Sequence, residues 1–175
     1  MRRILDGVYR GAGFVAGAMI LGICLLISAQ ILLNLSARIF GPVLPSTIPS
    51  YADFAGFMLA AATFLAMPHT LREGAHVRVT LVTDRFGPGV RRWLGVAVLV
   101  LVAVAGGYAS FYAGSLIEES LRYGDTSTGI VAVPLWIVQV PLVLGLGLFT
   151  VAALDSAIEL VRRPAEPRSC KAWKI

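Results

Sequence analysis

The chain has 175 residues, 57% of them apolar and only 14% charged, with a formal net charge of +5 and a pI near 9.7. Soluble domains carry about 25% charged residues, and apolar runs of about twenty residues signal membrane spans. Four such runs exclude an ordinary soluble domain, and two distant cysteines, Cys24 and Cys170, without any CxxC or Cys/His spacing, argue against a disulfide framework or a zinc site.

Residues Met1 to Arg10 carry Arg2, Arg3 and Arg10 and lead into an apolar block at about 11–35. A signal peptide has an apolar core of only about 7–15 residues, so this block reads as an uncleaved first span. Gly13/Gly17 and Ala18/Gly22 form small-xxx-small pairs of the kind that let helices approach closely in lipid. Arg38 and prolines 42, 45 and 49 then predict a compact, partly extended loop to Ser50.

The second span is expected at about 52–71 and opens on Asp53, whose carboxylate favours the helix dipole in a first turn. A polar contact with a partner is the other reading of Asp53. Ala52, Gly56 and Ala60 repeat every fourth residue and predict a narrow packing stripe. Pro68 predicts a break before a polar cluster of His69, Arg72, Glu73, His76 and Arg78.

From Arg72 to Arg92 five arginines alternate with Val77, Val79, Leu81, Val82 and Phe86, against only Glu73 and Asp84. That pattern predicts an amphipathic segment lying in the membrane interface, aliphatic groups down and arginines toward phosphates. The third span is expected at about 93–117, with Trp93 as an interfacial aromatic. Within it Ala103/Gly107 and Ala109/Ala113 are small-residue pairs, and Tyr108 and Tyr112, one turn apart, read as interhelical packing. The connection 118–129 is acidic. The last span is expected at about 130–154, with Pro134 in its first turn and a kink at Pro141. The domain reading is therefore a single four-span membrane domain over 1–161, followed by a basic, poorly ordered tail over 162–175.

Lysines and arginines sort sharply by side. The N-terminus carries three, the second connection five and the tail five, against one each in the first and third connections. Thirteen against two in short segments is a strong positive-inside signal, placing both termini in the cytoplasm. The expected fold class is thus an all-α membrane protein of four transmembrane helices with both termini cytoplasmic. The positive charge is then directed at anionic phospholipid headgroups, not at nucleic acid.

Little in the spans could do chemistry. Charges buried in a membrane normally mark ion or substrate paths, and apart from Asp53 near one end and Asp155 near the other the four spans contain no acid. Gln30 and Gln139 are the polar residues best suited to interhelical hydrogen bonds. His69 and His76 are the only candidates for a haem, and axial pairs come from facing helices. Proteolysis within the membrane would need a nucleophile and a base buried together. The residues read as a non-catalytic scaffold or subunit, with no catalytic residue, no cofactor and no metal.

The stretch from Asp53 through Ala60-Ala61-Ala62 to Arg72, Gly74, His76, Val77, Arg78 and Val79 resembles the signature region of the small, Q-type (DctQ-like) membrane subunit of tripartite ATP-independent periplasmic (TRAP) transporters. That family opens its second span on a polar or acidic residue and leaves it through a motif like R-x-G-x-H-[IV]-R-V. Two departures stand out: Thr80 follows the R-V pair where the family often has an acid, and Tyr51 and Asp53 stand where a Trp and Glu are common. The resemblance implies a bacterial inner-membrane protein and a division of labour. A periplasmic binding protein would deliver a carboxylate-type solute, a large membrane subunit would transport it with sodium, and the small subunit would brace that partner's scaffold. It also implies Asp53, Gly56, Ala60, Arg72, Gly74, His76 and Arg78 as the interface to the partner or to lipid. The alternative is a stand-alone tetraspan protein that transports or conducts as a homo-oligomer.

Overall fold

The computed structural model describes residues 2–41, 47–73 and 87–162. Four helices account for nearly all of them: α1 (Arg2–Phe40), α2 (Tyr51–Arg72), α3 (Pro88–Tyr123) and α4 (Leu135–Arg162). Each is long and apolar enough to cross a membrane. At 1.5 Å per residue α2 measures about 33 Å, close to the hydrocarbon thickness, whereas α1 and α3 run to about 58 and 54 Å. The two long helices therefore tilt or project beyond the hydrocarbon.

The helices pack as an open row in the order α1–α2–α4–α3. Close approach along the row is made by small residues. Ala12 and Ala16 of α1 meet Ala62 and Leu65 of α2, with Met19, Ala66 and Leu148 packed around them. Between α2 and α4 the tightest point is Gly145, where an added Cβ would lie 2.5 Å from the Phe64 carbonyl. Pro68 lacks the N–H that would normally bond that carbonyl four residues back, so the two backbones meet where the α2 ladder is already interrupted. Between α3 and α4, an added Cβ on Gly106 would lie 2.8 Å from Thr150 Oγ1, and Ala103 and Ala113 are buried nearby. Without a hydrophobic drive between helices in lipid, such backbone proximity is the main source of packing energy.

The helix boundaries depart from the sequence reading in three instructive ways. α1 begins at Arg2, because the polar first turns continue the helix outside the apolar block. Pro68 does not end α2, which runs four residues further with the proline buried inside it. α4 begins at Leu135, not near 130. Residues 124–134 fold back instead, with Ser127 N–H donating to the Val133 carbonyl, Leu135 N–H donating to that of Asp125, and an antiparallel bridge joining Thr126 to Pro134. Gly124 starts this turn as the left-handed cap of α3, at φ 69°. The four-helix class itself is as expected.

Candidate functional site

Both ends of α2 are tied to the rest of the chain by polar contacts, and the ties differ. At its C-terminal end Arg72 reaches across three helices. Its Nη2 lies 2.9 Å from Asp6 Oδ1 on α1, and its Nη1 lies 3.0 Å from Asp155 Oδ2 and 3.4 Å from Glu159 Oε2 on α4. The guanidinium carbon stands 5.8 Å from the ring centre of Tyr9, itself almost wholly buried. A planar fork with several donors suits this geometry, since one arginine can serve carboxylates on two sides. With the Arg72 side chain only 17% exposed, the contacts are less screened than surface ion pairs. Nearby, His69 packs its ring over Gly13, where any added Cβ would press against it at 3.0 Å.

The same end of the molecule carries a second cation-to-helix contact. Arg92, in the second turn of α3, donates from Nε to the Leu160 carbonyl at 3.1 Å and from Nη2 to the Val161 carbonyl. These are among the last four carbonyls of α4, which have no partner within their own helix, and a cation there also opposes the negative end of the dipole.

At the opposite end, Ser50 precedes α2 with a left-handed backbone, φ 56°. Its hydroxyl does not cap its own helix; it accepts the Val131 N–H at 3.0 Å from the 124–134 turn. Asp53 lies in the first turn of α2, as its dipole role requires, with its carboxylate facing Gly129 so closely that a Cβ there would overlap it. Gln30 supplies the third tie: its buried Oε1 accepts the Ile48 N–H at 2.8 Å, fixing the preceding loop to α1.

The expected interface residues are thereby separated. Arg72 is engaged inside the chain, by acids on α1 and α4. Asp53, Ala52 and Gly56 are exposed and Ala60 is half-buried, so the stripe expected to pack points largely outward. The face of α2 that does pack is Ala61, Ala62, Leu65 and Pro68. Gly74, His76 and Arg78 lie outside the described residues, as do most of the amphipathic connection and the tail. Tyr108 and Tyr112, expected between helices, stand on the exposed side of α3. Gln139 places its Oε1 in the interior, and Gln30 accepts from the loop residue Ile48. Sequence reasoning passed over Asp6, Tyr9 and Glu159. The available signal was a carboxylate near the end of each helix facing the one arginine that closes α2.

Among the described residues no cluster of His, Cys, Asp or Glu has the geometry of a metal site. The arrangement fastens helices together. A family model described as tripartite ATP-independent periplasmic transporters, DctQ component, matches residues 23–163. No curated protein matches, and neither does any solved structure.

Proposed function

Since the chain belongs to the DctQ component family of tripartite ATP-independent periplasmic transporters, we propose that it braces the scaffold of the system's large membrane subunit while that partner moves the solute. The large subunit and a periplasmic binding protein are the partners this membership entails. In this reading transport is sodium-driven, the solute is a carboxylate-type compound handed over by the binding protein, and the small subunit binds neither.

The observation that carries the reading is where polarity sits. Charged groups are confined to the helix ends, and stretches 11–37, 54–68, 93–117 and 136–154 contain no acid, base or histidine. A protein that moved ions by itself would place ligands or carboxylates within those stretches. The polar groups of this chain instead join helices end to end, as at Arg72, which suits a part that must hold its shape beside a moving neighbour. The 13-to-2 distribution of lysine and arginine supports placing both termini, and hence the Arg72 end of α2, on the cytoplasmic side. The seven residues named as an interface belong to this proposal, with Asp53 at the outer rim and Arg72 shaping the inner one. So do the anionic headgroup contacts of the basic connection, the single-domain organisation of 1–161 and the tail beyond it.

The test is reconstitution. Vesicles holding the large subunit, the small subunit and the binding protein should take up solute along a sodium gradient, and uptake should fall to background when the small subunit is omitted. Solute movement by the small subunit alone would overturn the brace in favour of a homo-oligomeric carrier or channel.

A further inference from the structure

Three aromatic rings lie together on the outward side of α3: Tyr108 and Tyr112, with ring centres 4.5 Å apart, and Phe111, edge-on to Tyr112 at 5.8 Å. They are 65%, 52% and 75% exposed. The opposite side of the same helix, through Gly106, Ser110 and Ala113, packs on α4. Since α3 ends the row, the aromatic side faces away from the rest of the chain.

Depth makes these tyrosines unusual. Ser110, between them, reaches the Val143 carbonyl and stands beside Gly147, which places it 7 to 11 residues along α4 from Trp136. That is about 10–16 Å inward from the outer end of α4. Measured along α3 from Glu118, Tyr112 and Tyr108 lie about 9 and 15 Å inward. Half the hydrocarbon thickness is about 15 Å, so Tyr108 sits near its middle. Tyrosine in membrane proteins ordinarily occupies the headgroup belt, where its hydroxyl finds water or phosphate.

A short side chain at this depth has a remedy that a phenol lacks. Ser115 Oγ donates to the Tyr112 carbonyl of its own helix at 2.7 Å, and Thr63 and Thr150 do likewise to Leu59 and Leu146. The long, rigid phenol cannot turn back to its own backbone. The pair can share one hydrogen bond between its hydroxyls, which still leaves one O–H without an acceptor in a solvent that has none.

We propose that the Tyr108–Phe111–Tyr112 face docks against a membrane helix of the large transport subunit, which supplies a carbonyl or side-chain oxygen to the free phenol. This rests on the proposed function and adds which side of the chain meets the partner. Acyl chains offer no acceptor, and a helix packed at close range does.

The two subunits are co-expressed in membranes, with the photoreactive residue p-benzoylphenylalanine at position 108, or at position 14 as a control on α1. Irradiation is expected to yield an adduct of small and large subunit from position 108 and little from position 14. In parallel Tyr108→Phe with Tyr112→Phe, which keeps both rings, should lower the affinity between the subunits about tenfold, with the small subunit's membrane level unchanged. An adduct between two copies of the small subunit, no adduct from position 108 in an intact complex, or undiminished affinity of the Phe variant would each overturn the inference. Failure of the unmodified subunits to co-purify would instead remove the proposed function, and this inference with it.

Discussion

Arg72 Nη1 lies 3.0 Å from Asp155 Oδ2, joining the last residue of α2 to the final turns of α4. The same guanidinium holds Asp6 of α1, so one side chain fixes three of the four helices at a common level. Removing it takes from three carboxylates the cation they share.

Arg72→Met is therefore expected to destabilise the chain by about 2–3 kcal/mol, below the cost of breaking a fully buried pair because Asp6 is half exposed. Thermal unfolding of the purified chain in detergent measures this. Adding Asp155→Asn to that variant relieves part of the like-charge repulsion, so the double variant should recover some of the loss. Strict additivity of the two substitutions would show that the pair is not coupled.

Gly145 allows a second, purely steric prediction. A methyl group there meets the Phe64 backbone, which cannot swing aside as a side chain could. Gly145→Ala should cost about 1–3 kcal/mol by forcing α2 and α4 apart. At Gly114, where an added Cβ has nothing within 4 Å, the same change should be neutral or mildly stabilising. Comparing the unfolding midpoints of the two variants distinguishes backbone proximity from a general preference for glycine.

Orientation gives the third. With Cys24 and Cys170 replaced by serine, single cysteines at Asp6 and at Glu119, both exposed, should label with opposite sidedness. A membrane-impermeant maleimide added to intact cells should modify position 119 and leave position 6 until the cells are opened. The reverse pattern would overturn the cytoplasmic placement of both termini.

How much of this could be read from the sequence follows from what each feature depends on. The four spans depend on long-range average polarity, which the chain displays openly; their number and approximate positions were legible. The entry to α4 was not, because residues 130–133 are as apolar as a helix, and only the return of the 124–134 turn onto Ser50 takes them out of it. The packing side of α2 was also hidden. Ala52, Gly56 and Ala60 repeat as regularly as any interface stripe, but Ala61, Ala62 and Leu65 lie on the side where α1 and α4 are held. In a helix rich in small apolar residues, periodicity marks several faces equally well. Arg72 stood out in the sequence, yet its acids lie 66, 83 and 87 positions away along the chain, and no local pattern pairs them.

The order of the row carries a consequence for how the protein is made. The helices emerge from the ribosome as α1, α2, α3, α4, but in space the last of them lies between α2 and α3. Until it arrives α1 and α2 can close on each other, while α3 has no lasting neighbour and Arg92 has no carbonyls to cap. Biogenesis must therefore keep a gap open beside α2 and fill it with the final segment translated. A chain that stops before Leu135 lacks the helix that packs on both α2 and α3, and a chain cut just short of Leu160 loses the clasp that secures the central helix to its outer neighbour.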